Sequence, residues 1–295
     1  MASPEPLVVN YRAVGDSTTD GPAPQAPSQR QLIANLMAYV INVAITYGVG
    51  VGGLLDLPSN SQQSLQYQTL VTPIGWAFSI WGIIFTMQAV WVVWPLVSSS
   101  SNRAAASTAL KAVGYKYWAI VGFQAAWTFA FALDQITLSA VVMMGICASL
   151  WWTVHALWEA TSPTDVKPNY WLYLFPLTIH AGWITAATAV NLNVAAVAWG
   201  VSANGQFALA LVSLLVLLGV ACRVVTMDTT IPLVLAWACF GVFCQLQEGT
   251  VMDSITDTFL DQQIQVARVG AAVMSVVILA VTGFVRGRMT MQQQE

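Results

Sequence analysis

Residues 71–97 read VTPIGWAFSIWGIIFTMQAVWVVWPLV, a run without a single charged residue. About 20 apolar residues are enough to cross the hydrocarbon of a bilayer as a helix, whereas a membrane strand needs only about 10. Inside lipid the backbone must satisfy its own hydrogen bonds, which leaves helices and closed barrels. The length of this run selects the helix. It also carries Trp76, Trp81, Trp91 and Trp94. Lipid-facing surfaces are built from Leu, Ile and Val, with Trp kept to the interfaces. Trp81 lies five residues inside Trp76, about one and a half turns. At least one of these rings must therefore face protein or a ligand.

The rest of the chain is built the same way. Of 295 residues, 57% are hydrophobic and 8% charged, against about 25% charged in a soluble domain. The mean hydropathy is +0.66. These values predict an all-α, polytopic integral membrane bundle of about eight transmembrane helices. The apolar segments are 32–54, 74–97, 115–133, 137–159, 170–193, 205–223, 230–247 and 264–286, the seventh being the shortest. Residues 1–31 read as a disordered polar tail without the apolar stretch of a signal peptide, and 289–295 as a polar C-terminal tail. A net charge of -3 without a basic patch argues against nucleic acid as a partner. Cys147, Cys222, Cys239 and Cys244 form no CxxC and no His-alternating pattern, so neither a disulfide framework nor a metal site is predicted.

Charge gives an independent test of the count. With eight spans, one side holds Arg12, Arg30, Arg103, Lys111, Lys116, Lys167, Arg223, Arg286 and Arg288, and the other only Arg268. Cytoplasmic loops carry the excess of Lys and Arg. Both termini are therefore expected on the cytoplasmic side. The opposite face carries Glu248, Asp253, Asp257 and Asp261.

Three helices carry stripes that combine aromatic and polar side chains. Phe78, Trp81, Phe85 and Gln88 recur at spacings of three, four and three, which puts them on one face. Tyr117, Gln124, Trp127 and Phe131 do the same on the third helix, and Pro176, His180, Trp183, Ala187 and Asn191 on the fifth. Polar groups at these depths are costly unless they find partners. The stripes admit two readings: an aromatic-walled cavity with a few hydrogen-bonding groups, or helices packed on aromatics with Gln, Asn and His as interhelical glue. His180 is the sharpest polar candidate, as a ligand contact or as a structural hydrogen-bonding group. Gly48, Gly50, Gly52 and Gly53 read as close-packing or hinge glycines. Trp91, Trp94, Trp151, Trp152, Trp158 and Trp171 read as interfacial belts.

The run Pro73-x-x-Trp76-x-Phe78-x-x-Trp81-x-x-x-Phe85 resembles the start of the second helix in the translocator protein family, also called tryptophan-rich sensory proteins. Gln124-Ala-Ala-Trp127-Thr128 resembles its third-helix motif, and Trp183-Ile-Thr-Ala-Ala187-Thr188-Ala-Val-Asn191 its fifth-helix signature. The likeness covers residues 32–195 as a five-helix core. Residues 196–288 hold three further helices, similar to those of longer tryptophan-rich relatives around Pro232 to Ala238. The resemblance implies a pocket opening toward the first loop, lined by Trp81, Phe85, Gln124, Trp127, Trp183 and Ala187. It implies a porphyrin or related tetrapyrrole as ligand, since family members bind porphyrins and, in animal mitochondria, sterols and drug-like molecules. The chain departs from the pattern at three places. Gln124 replaces the usual Asn. Pro176 lies farther from Trp183 than is usual. The VAAVAWG segment after Asn193 has no Tyr followed by Lys or Arg, so the family's sterol pattern is missing there.

The leading expectation is a non-enzymatic membrane receptor or carrier for a flat hydrophobic ligand of tetrapyrrole type. The ligand-binding candidates are Phe78, Trp81, Phe85, Gln124, Trp127, His180, Trp183, Ala187 and Asn191. Flat rings stack well on Trp and Phe. No catalytic residues and no metal ligands are assigned: the sequence offers no paired carboxylates and no nucleophile–base pair. The alternatives are a secondary transporter of a small hydrophobic molecule and a structural subunit of a larger membrane complex. Asp56, Asp134 and Glu159 fall at helix ends, which argues against ion coupling through buried charges. The expected partners are the lipid bilayer and a hydrophobic small molecule, with a homodimer held open.

Overall fold

The computed structural model describes residues 27–99, 107–160 and 170–292. Arg12, Arg103, Lys167, tail residues 1–26 and residues 293–295 lie outside the described residues. The helices are α1 (Gln29–Ile45), α2 (Asn60–Gln66), α3 (Ile80–Val97), α4 (Ser107–Val113), α5 (Lys116–Ala132), α6 (Ile136–Ala160), α7 (Phe175–Ala198), α8 (Ala203–Val224), α9 (Thr230–Gln245), α10 (Asp253–Thr258) and α11 (Asp261–Gln292). Six apolar helical stretches are long enough to cross a membrane: those containing α1, α3, α6, α7, α8 and α11. The helices α5, of 17 residues, and α9, of 16, complete the eight expected spans. At 1.5 Å per residue each reaches about 25 Å, somewhat short of the roughly 30 Å hydrocarbon core.

The outer surface is apolar where a bilayer would lie. On α11 the exposed residues Val266, Val269, Val273 and Val276 recur at helical spacing and form one lipid-facing stripe. Its other face buries Ala267, Ala271, Ser275 and Ile278. The protein is an integral membrane helical bundle.

Local chemistry explains the helix ends. The Ser28 hydroxyl caps α1 by accepting from the Gln31 amide at 3.2 Å, which satisfies one orphan donor. A π turn at Thr46–Val51 closes the α1 span. Gly50 lies there against α2, where an added Cβ would stand 2.8 Å from Asn60 Nδ2. Gly53 follows at φ 63°, a conformation that suits glycine.

The polar stretch 55–72 between the first two predicted spans contains a helix. Ser59 and Gln62 form a capping box at the start of α2, with Gln62 Oε1 accepting from the Ser59 amide at 2.8 Å and Ser59 Oγ accepting from the Gln62 amide at 3.3 Å. At the other end of the chain, α11 continues to Gln292, past the predicted stop near 286.

Packing joins the first five spans to the last three. Among the described residues the larger apolar cluster runs from Leu32 on α1 to Ile278 on α11, and a smaller one gathers Phe131, Ile136, Ala140, Val194 and Ala195. The helix α7 is at its centre and touches α3, α6, α8 and α9. It buries Pro176 to Ala186 almost without interruption. Trp91 belongs to this core rather than to an interfacial belt: it is 1% exposed and packs edge-on against Tyr117 at 4.9 Å. Trp151 and Trp158 also pack on the core, whereas Trp94, Trp152 and Trp171 stay exposed.

Candidate functional site

The starts of α3 and α2 and the facing sides of α5, α6 and α7 enclose a cavity of about 90 Å³. Phe78 and Trp81 come from α3 and the 3-10 turn Gly75–Ser79 that precedes it. Trp127 and Phe131 come from α5, Met143 from α6, and Trp183, Ala187 and Asn191 from α7. The helix α2 forms the roof with Asn60 and Ser64, and Pro73 adds a side wall. None of the lining residues is charged.

The rings are ordered by one another. Phe78 meets Trp183 edge-on at 5.3 Å and 85°. Trp127 stacks on Phe131 at 5.2 Å and 12°. Trp81 stacks on Phe85 at 5.5 Å and 24°, and its other neighbour is the His180 ring at 5.5 Å. Such pairs add about 0.5–1.5 kcal/mol beyond their buried area, so the walls are held even when nothing lies between them.

Of the nine candidates read from the sequence, Phe78, Trp81, Trp127, Trp183, Ala187 and Asn191 line this cavity. Asn191 Oδ1 accepts from the Ser139 hydroxyl at 3.2 Å, which fixes the amide against α6. The other three lie behind the wall. Phe85 is buried under Trp81. Gln124 is 1% exposed on α5, and its Oε1 has no hydrogen-bond partner among the described residues.

His180 is also 1% exposed and serves a different network. The Tyr117 hydroxyl donates to Gln88 Oε1 at 2.9 Å, and Gln88 Nε2 lies 2.9 Å from His180 Nδ1. The amide nitrogen can only donate, so Nδ1 accepts and the imidazole proton sits on Nε2. This chain links α5, α3 and α7 by side-chain hydrogen bonds, as interhelical polar contacts in membranes do.

Two polar atoms of lining residues are buried without a partner among the described residues: Asn60 Oδ1 in the roof and Trp127 Nε1 in the wall. One is an acceptor and the other a donor. A buried polar atom left unpaired costs about 1–3 kcal/mol, so a ligand offering complementary groups gains at both.

The roof is tied down from outside the cavity. Asp134, at φ 58° in the turn between α5 and α6, accepts from Gln63 Nε2 at 2.6 Å and from the Tyr67 hydroxyl at 2.8 Å. Sequence periodicity missed α2 because seven residues are too few to show a helical period. The Ser59-x-x-Gln62 capping box was the signal that could have found it.

On the far side of the 75–79 turn lies a wider groove of about 530 Å³. Ser79, Ile80 and Ile83 of the α3 region, Tyr170 to Ile179 of the α7 region and Thr229 to Trp237 of the α9 region line it. It opens among exposed apolar side chains, including Ile83, Trp171 and Leu233. Among the described residues, no group of three His, Cys, Asp or Glu stands close enough to hold a metal ion.

Comparison with curated proteins gives no match, and comparison with solved structures gives none. Comparison with protein families does: the family described as TSPO-like protein matches residues 31–285, from the start of α1 almost to the end of α11. On that match, which spans all eight long helices, the chain belongs to the TSPO-like protein family.

Proposed function

We propose that this membrane protein is a non-enzymatic receptor or carrier that binds a flat hydrophobic ligand of tetrapyrrole type between Phe78, Trp81, Trp127 and Trp183. The observation that carries the reading is the meeting of Phe78, Trp81, Trp127, Trp183, Ala187 and Asn191, from three spans, on one uncharged, aromatic-walled cavity. Its two unpartnered polar atoms, one donor and one acceptor, suit the polar edge of such a ligand.

The cavity volume sets a condition. Ligand pockets for drug-sized molecules run to about 300–1,000 Å³, well above the 90 Å³ enclosed here. In this proposal the cavity widens as the ligand enters. Binding lifts α2, whose tertiary anchoring includes the Gln63 and Tyr67 bonds to Asp134.

Titration of the purified protein with protoporphyrin, followed by tryptophan fluorescence, tests the reading. Quenching is expected, and Trp183→Ala is expected to weaken it by about tenfold, a little over 1 kcal/mol. Trp94 is exposed and away from the cavity, so Trp94→Ala should leave affinity unchanged. Equal effects of the two substitutions, or no quenching in the wild-type protein, would overturn the proposal.

A further inference from the structure

The helix α9 lies outside the five-helix core that carries the aromatic motifs, yet it is in contact with both ring-bearing walls of the cavity. On one side it meets α7 at Gly182, next to Trp183. A Cβ at Gly182 would stand 2.9 Å from Val234 Cβ and 3.3 Å from Ile231 Cα. On the other side it meets the segment that leads into Phe78. The Ile74 amide donates to the Gly241 carbonyl at 3.1 Å, and Trp237 Nε1 donates to the Ala77 carbonyl at 3.0 Å. A Cβ at Gly241 would stand 2.9 Å from Ala77 Cβ and 3.0 Å from Pro73 Cβ. Trp76 packs edge-on against Trp237 at 4.8 Å. From behind, the Ser275 hydroxyl of α11 donates to the Ala236 carbonyl and braces α9 in place.

We propose that α9 is a gauge: through Gly182 and Gly241 it fixes how far Phe78 and Trp183 stand apart, and so determines the width of ligand that the cavity admits. Gly182 precedes Trp183 directly, and Ala77 precedes Phe78 directly. Any displacement of α9 against these two points is passed to the two rings that meet at 5.3 Å. At each glycine the nearest approach is to a Cβ atom, that of Val234 or of Ala77, rather than to a flexible side-chain end. A methyl group added there must move backbone, because no rotamer can yield. Trp237, Gly241 and Gly182 act on ligand through the rings and are positioning residues. The effect on ligand width rests on the binding reading given above, whereas the effect on ring spacing does not.

The test uses the full-length protein with 5-fluorotryptophan, the Trp183 resonance being assigned by its loss in Trp183→Phe. Gly241→Ala is expected to shift that fluorine resonance without ligand and to weaken protoporphyrin binding by about tenfold. Adding Ala77→Gly removes the nearer clash, leaves the 3.0 Å approach to Pro73, and is expected to reverse both effects in part, a rescue that general destabilisation would not produce. Should Gly241→Ala fail to fold, Trp237→Phe provides the second variant. It deletes the bond to the Ala77 carbonyl while keeping a ring against Trp76, and it is expected to shift the same resonance. An unmoved Trp183 resonance in the folded variant, or a shift that Ala77→Gly does not reduce at all, overturns the gauge. A shifted and rescued resonance in a protein that binds no protoporphyrin supports the gauge for ring spacing and overturns the binding reading instead.

Discussion

Gln88 uses both ends of one amide, accepting from Tyr117 and donating to His180. The spacing of Gln88 and His180 on their helices was visible in the sequence, but their pairing was not. Periodicity says which residues share a face and leaves open which faces meet. The sequence therefore leaves His180 open between a ligand contact and a structural group, and its bond to Gln88 links two spans. The aromatic members transferred better, because a stripe of bulky rings mid-helix must face an interior. His180→Ala is expected to lower stability by about 1–3 kcal/mol, the cost of leaving a buried amide donor unpaired. Ligand affinity should change little, since His180 does not line the cavity. Thermal unfolding beside a protoporphyrin titration checks this. Unaltered stability with weakened binding would restore His180 as a ligand contact.

At the level of elements, α2 is the part that the sequence concealed and the site requires. Its seven residues cannot be stable alone, since isolated helices need about 12–15 residues. Its capping box and its anchors to Asp134 supply what length does not. Asp134→Ala removes the shared acceptor and is expected to speed both ligand entry and release in stopped-flow fluorescence. Unchanged rates would mean that the ligand takes a route that leaves α2 in place. The hydrogen bond to Asp134, with some burial, holds the Tyr67 hydroxyl above its ordinary value of 10.0. A tyrosine whose value rises on folding adds stability that is complete below its ordinary value and is lost as pH climbs through the folded one. Release rates should therefore not change through Tyr67 between neutral pH and about pH 9, and rise above about pH 10. Tyr67→Phe should abolish that alkaline step. If the step persists in Tyr67→Phe, another group controls the roof.

For the whole molecule, the length and apolarity of the segments set the fold class, and most helix boundaries followed within a few residues. What composition could not reveal is how the later helices meet the earlier ones. The contacts of α9 with residues 73–77 depend on Gly241 and Trp237, and neither residue has a periodic signature pointing across the bundle. The nine-to-one charge split gives the expectation that both termini face the cytoplasm. In a cysteine-free background, Ser61→Cys and Lys111→Cys should be labelled by an impermeant thiol reagent from opposite sides. Labelling from one side would refute that arrangement. The most direct measurement of the central claim is photo-crosslinking with a photoreactive porphyrin, followed by peptide mapping. Crosslinks to residues 73–81, 127–131 and 183–191, suppressed by unlabelled protoporphyrin, are the expected result. Crosslinks concentrated instead at 229–237 along the wide groove, or spread over the lipid-facing stripe of α11, would contradict a ligand site beneath α2.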